Sequence, residues 1–411
     1  MKPVRRRRVL YIPGYDPMPP RSYRERYRRE AAKQAELSGY RVDLAPSGPN
    51  GWRVTAEVEG ADVLAEIEVL PWADLVQTSM AGGIWQTYHR MLCTAWIYIG
   101  SGALFRLMRL RKGPVIAALY PVLVLFGQAA LAVCIAVGVA FAIYRIGAWA
   151  TASLDNPFDA FRPIAALAGF CAGWWVLRWC ARRDHLLAWY LIRDYAFTAQ
   201  ERGAYPAALS DRLDQFRDRL ARTMAEEVDE VLVVGHSSGA FLAVSVVADL
   251  LRRGPERSGP TLSLLTLGQV IPMLSFLPEA GRLRADLAAV SVSHRVDWVD
   301  ISAPGDGCAF ALCDPVSVTG LAGPAKRGPL VLSASFTQTL TAQTRDALKY
   351  RLFETHFQYL NAFDALPDRR DAYEYVRVTA GPMMLADRFA TRAPSHSRIE
   401  QPVNRFTDIA A

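Results

Sequence analysis

The ten residues Val231-Leu232-Val233-Val234-Gly235-His236-Ser237-Ser238-Gly239-Ala240 constrain this chain more than any others. Four consecutive apolar residues, three of them valine, read as a strand buried on both faces, the kind found inside a parallel sheet. The strand ends at Gly235, and residues 241–251 read as an apolar helix. Between them Ser237 is flanked by Gly235 and Gly239 in the pattern Gly-x-Ser-x-Gly. A sharp strand-to-helix turn lifts a serine hydroxyl clear of the sheet, and the glycines let strand and helix backbones crowd together. The helix start offers amides and a positive dipole end where an oxyanion would form. The alternative for the same residues is an ordinary tight turn, with a serine that binds a phosphate.

The flanking sequence alternates strands with helices. Residues 9–12 read as a strand ending at Pro13-Gly14-Tyr15-Asp16-Pro17. Residues 21–37 read as a helix with Tyr23, Tyr27, Ala31 and Gln34 on one face and a solvated, arginine-rich face opposite. Residues 40–44, 52–58 and 63–70 read as strands separated by Gly/Asn/Pro turns. Residues 75–111 carry a mixed helical pattern. Further on, 186–200 and 209–227 read as amphipathic helices, 282–290 as a helix, and 262–267, 296–301 and 329–336 as strands. This order predicts an α/β domain with a mostly parallel sheet flanked by helices.

On its Gly-His-Ser-x-Gly elbow, set between a buried strand and an apolar helix, the sequence resembles the α/β-hydrolase superfamily, in particular the lipase and esterase branch. The resemblance extends loosely over residues 1–105 and 185–390 and is specific at the elbow. It implies an α/β-hydrolase-like fold with Ser237 as nucleophile and a triad in the chain order Ser, Asp or Glu, His. Six histidines compete for the base. His236 adjoins the serine, His89 and His185 border an apolar region, His294 begins a strand, and His396 lies in a Pro/Ser/Arg stretch. His356 follows the final strand, about twenty residues on, and stands in the order the family requires. For the acid, Asp306 occupies a glycine-flanked turn just past a strand, Asp297 and Asp300 lie within that strand, and Asp314 lies further out. Asp306 is the expected partner of His356. The resemblance also implies that the amides of Ser238 and Tyr15 form an oxyanion hole, although the loop at Gly14-Tyr15 lacks the family's usual His-Gly start.

A second feature is set by composition. The chain is 51% hydrophobic, and residues 114–144 contain no charge where roughly twenty residues cross a bilayer. Residues 163–177 are also uncharged, and the run reaches 182 if Arg178 snorkels. Trp174, Trp175 and Trp179 cluster near its end, as aromatics do at an interface. Gly169 and Gly173 form Gly-x-x-x-Gly, and Ala132, Ala136 and Ala140 a small-residue stripe, so two helices can approach closely. A buried hairpin or hydrophobic lid is the alternative. Arg106, Arg109, Arg111 and Lys112 precede the hairpin, Arg182 and Arg183 follow it, and its connection carries Asp155 and Asp159. That asymmetry predicts both feet, and the enzyme body, on the cytoplasmic side.

The expected organisation is residues 1–112 and 184–390 as the two parts of one hydrolase domain, 113–183 as an inserted transmembrane hairpin, and 391–411 as a flexible tail. The net charge of +7 reads as a solvated or membrane-facing surface, not a nucleic-acid footprint. The six cysteines show no zinc spacing and fit a reducing compartment. The apolar run after Arg5–Arg8 breaks at Pro13-Gly14, too early for a signal peptide. The expectation is a membrane-anchored serine hydrolase acting on an ester of a lipid or other apolar acyl group, with no metal or organic cofactor. The alternatives are an acyltransferase or thioesterase on the same triad, and a catalytically inactive fold serving as a membrane-bound binding or scaffold protein.

Overall fold

The computed structural model of the chain describes residues 3–150, 158–254, 259–366 and 371–409. The chain forms two units, one of Met1–Thr78, Ile97–Val115 and Thr198–Ala411, the other of Ser79–Trp96 and Ile116–Phe197.

The first unit is built on an eight-stranded sheet of β1 (Arg6–Ile12), β2 (Arg41–Ser47), β3 (Gly51–Val58), β4 (Ala61–Val69), β5 (Glu230–His236), β6 (Thr261–Leu267), β7 (Asp297–Ser302) and β8 (Leu330–Ser333). Their spatial order is β2-β3-β4-β1-β5-β6-β7-β8. Every residue of β5 is buried, as its valine run requires of a central strand. Side chains at alternate positions, Val9 and Tyr11, Leu232 and Val234, Leu265 and Leu267, share a core with Tyr23, Tyr27 and Ala31 of the helix Pro20–Ser38. The helix Gly239–Arg252 packs with Ala207–Met224 and Gly281–Val292.

The sheet is mixed, which corrects the expectation of a mostly parallel one. Strands β4, β1, β5, β6, β7 and β8 pair in parallel, but β2–β3 and β3–β4 are antiparallel. The cause is connection length. Between β3 and β4 stand only Glu59 and Gly60, with φ of 53° and 77°. Such a two-residue loop makes a hairpin, whereas a parallel crossover needs a dozen residues or more. Strand β1 also begins earlier than its apolar run. Arg7 faces inward beside its ladder neighbour Glu230, donating from Nε at 2.7 Å.

The stretch after residue 390, expected as a flexible tail, is tied to this unit. The Ser395 amide donates to Val331 O (2.9 Å), the Ile399 amide to Leu312 O (2.8 Å), and Arg284 reaches the Asp408 carboxylate (2.7 Å).

The helix Lys112–Ala150, whose first four residues belong to the first unit and the rest to the second, runs 39 residues, about 59 Å at 1.5 Å per residue, against a hydrocarbon core of about 30 Å. The helix Phe158–Arg183 is 26 residues long. Both are long and apolar enough to span a membrane. Leu123, Val137 and Phe141 on one and Leu167, Phe170 and Trp175 on the other stand exposed. A Cβ on Gly173 would stand 2.8 Å from Ala132 O, and one on Gly169 would overlap Ala136 O and touch Ala140. Rising numbers on one helix meet falling numbers on the other, so the helices are antiparallel along the small-residue stripe. This unit also holds residues on either side of the two long helices. It takes in Tyr88, which donates to Leu125 O (2.8 Å), and Trp189, which donates to Gln128 Oε1 (2.9 Å). Asp155 lies outside the described residues, as does the side chain of Asp159.

Candidate active site

The elbow is held by close backbone packing. A Cβ on Gly235 would stand 2.6 Å from Gly239 O, and one on Gly239 would overlap the carbonyl oxygen of Ile12. Only glycine fits where β5, β1 and the elbow helix converge. Ser237 takes φ of +57°, a conformation that costs a non-glycine residue roughly 1–3 kcal/mol. It is pinned there because its amide donates to Leu267 O (3.0 Å) and its carbonyl accepts from the Ala240 amide (3.1 Å). The half-buried Ser237 lies against the loop after β1. A Cβ on Gly14 would stand 2.9 Å from Ser237 Cβ and 3.3 Å from its Oγ. That loop is braced by Trp72, whose Nε1 donates to Pro13 O (2.9 Å) and whose ring meets Tyr15 edge-on at 6.1 Å. The Ser238 amide opens the elbow helix. Of the two residues expected to line an oxyanion hole, Ser238 follows the serine in the elbow and Tyr15 follows Gly14 in the loop after β1.

Asp306 and His356 meet. His356 Nδ1 lies 2.7 Å from Asp306 Oδ2. Tyr359 Oη donates to the same oxygen (2.9 Å), and the Cys308 amide donates to Oδ1 (2.9 Å). Burial opposes charge on this carboxyl, but His356, the Cys308 amide and Tyr359 hold it below the usual carboxylate range. Tyr359 also accepts the Ala303 amide (2.9 Å), which locks the loop after β7 to the segment carrying the histidine. Tyr359 was not expected from sequence. Its only signal is its place three residues after His356.

The His356 ring is buried, and its Nε2 has no hydrogen-bond partner among the described residues. The ring lies near His236, just before the elbow serine, and near Gly268, just after β6. A Cβ on Gly268, next to the acceptor of the Ser237 amide, would stand 3.2 Å from His356 Cε1, and the rings of His236 and His356 are 4.9 Å apart. No hydrogen bond joins Ser237 Oγ to His356 among the described residues.

The competing residues are occupied elsewhere. Asp300 Oδ1 accepts from Thr266 (2.6 Å), and burial pushes its carboxyl up to about 8. Asp314 caps the helix Pro315–Val318 and pairs with Lys326 at 2.6 Å. Asp297, His185, His294 and His396 are exposed. His89 lies on the helix Ile84–Gly100 with Cys93 as its neighbour. His236 is structural, with Nε2 2.9 Å from His356 O.

Burial, then the adjacent His356, drops the His236 imidazole to about 3. The unfolded ring titrates near 6.5, so the unfolded chain binds the extra proton between these values and stability falls as pH drops from about 6.5 toward 3. His236→Gln keeps a donor at the place of Nε2 for His356 O and removes that titration. Its unfolding free energy should be flatter across the window by on the order of 4 kcal/mol, read from denaturant unfolding at several pH values.

Comparison with protein-family models, with curated proteins and with solved structures found no match.

Proposed function

We propose that the chain is a membrane-anchored serine hydrolase of α/β-hydrolase type that cleaves acyl esters. The observation that carries the reading is the buried His356–Asp306 pair, whose second ring nitrogen is unpartnered and whose ring packs beside His236, the residue before a serine held on a strained strand-to-helix turn. In this reading Ser237 Oγ attacks the acyl carbonyl and His356 Nε2 takes its proton. Asp306 fixes the tautomer and stabilises the imidazolium, and the amides of Ser238 and Tyr15 receive the oxyanion. His356 then protonates the leaving alcohol, and water repeats the sequence on the acyl-enzyme.

A specific observation favours a second reading, a binding or scaffold protein on the same fold: Ser237 Oγ makes no hydrogen bond to His356. Such contacts are often long before substrate binds. The purified chain in detergent should hydrolyse p-nitrophenyl acyl esters, and Ser237→Ala should remove that activity. Hydrolysis equal in wild type and variant, or absent from both, contradicts the enzyme reading.

The membrane reading rests on the two apolar helices and on the basic residues at their feet. In cells the chain should sediment with membranes and resist salt and alkali, yielding to detergent. Release by alkali contradicts it.

A further inference from the structure

We propose that the short helix Ala103–Leu110, together with Arg405, docks on an anionic membrane leaflet and sets the Asp306 loop at its surface, so that the ester substrate is one held in that leaflet. The proposal rests on the membrane reading of the apolar helices. The short helix buries Ala103, Leu107 and Leu110. It leaves Phe105 and Met108 56% and 41% exposed, with Arg109 beside them. Apolar side chains and cations sharing a solvent face is the composition of a helix that lies in a bilayer interface.

The charges point the same way. Arg106, Arg109, Arg111 and Lys112 stand within seven residues, and the fold adds Arg405 from the far end of the chain. Partial burial, then Arg405 and Arg109, make Arg106 give up its proton more readily. None of these five meets a carboxylate among the described residues. Elsewhere in the unit Arg8, Arg219, Arg252 and Arg282 all do. A cluster of cations that the described residues leave without a carboxylate partner is complementary to lipid phosphates and serine carboxylates.

Position links the patch to both membrane and site. Arg111 alone separates the short helix from Lys112, the first residue of the long apolar helix. Arg111 Nε donates to Ala311 O (2.8 Å), and a Cβ on Gly113 would stand 3.4 Å from Gly307 Cα, the residue after Asp306. The loop that carries the acid is thereby strapped to the foot of the span.

The test uses the full chain in nanodiscs of phosphatidylcholine, alone or with phosphatidylserine, with Phe105 replaced by the photo-crosslinker p-benzoylphenylalanine. Mass spectrometry should find lipid adducts at position 105 in at least about fivefold higher yield with phosphatidylserine. Arg106→Glu/Arg109→Glu/Arg405→Glu should return the yield to the phosphatidylcholine level. The same probe at Val137, exposed on the long helix, should give lipid adducts in both discs. Equal yields at 105 in the two discs, or loss of the difference on adding inorganic phosphate, overturn the docking proposal while the Val137 adducts persist. Absence of lipid adducts at Val137 overturns the membrane reading, and the docking proposal with it.

Discussion

Asp306→Asn will lower kcat for ester hydrolysis by about 10⁴-fold with little change in KM. The carboxylate accepts from His356 Nδ1, Tyr359 Oη and the Cys308 amide. An amide of the same shape can still accept the Cys308 amide through one oxygen. It then turns an NH₂ toward His356 Nδ1, which must give up its proton to accept it. The proton moves to Nε2, and the ring can no longer act as base toward Ser237. The effect falls on the step that generates imidazolium, not on substrate binding. Steady-state kinetics on an acyl ester measures it, and a loss under tenfold would remove Asp306 from the proposed triad.

The second large effect concerns stability. Arg7→Ala should destabilise the sheet unit by about 3–5 kcal/mol, because breaking a buried ion pair leaves its partner uncompensated. Arg7 and Glu230 have fully buried side chains 2.7 Å apart. The guanidinium also donates to Gly381 O (2.7 Å) and Met383 O (2.6 Å), while Glu230 accepts from Ser263 (2.6 Å) and the Leu385 amide (2.8 Å). The pair thus clamps β1, β5, β6 and the segment after residue 380. Arg7→Met/Glu230→Leu, which removes both charges, should recover part of the loss. Urea midpoints of the three proteins give the comparison, and an Arg7→Ala shift under 1 kcal/mol would contradict this account of the clamp.

The elbow was legible because its requirements are local: a valine run, two glycines at fixed offsets and an apolar helix all fall between residues 231 and 251. The small-residue stripe was legible for the same reason, since spacing along each helix sets which residues can meet. His356 and Asp306 are fifty residues apart, and only an assumed chain order brought them together. The structure places them in direct contact, and adds Tyr359 on the same carboxylate oxygen, which sequence reasoning missed because a buried tyrosine reads as core. The sheet was misjudged at one edge. The short Glu59-Gly60 connection carried hairpin information that an overall strand–helix alternation obscured. Tyr88 and Trp189 join the second unit through hydrogen bonds between helices, which no periodicity reveals. Nor does the Pro/Ser/Arg composition after residue 390 disclose that its backbone pairs with Val331 and Leu312.

The central claim is that Ser237 is an activated nucleophile. A fluorophosphonate reacts with a serine only where a base and an oxyanion hole activate it. Peptide mapping of the detergent-solubilised chain after such treatment should find the adduct on Ser237. It should be absent from Ser237→Ala and present in Ser238→Ala, whose contribution is a backbone amide that alanine retains. Labelling that survives Ser237→Ala, or a wild-type chain that takes up no label, would contradict the account.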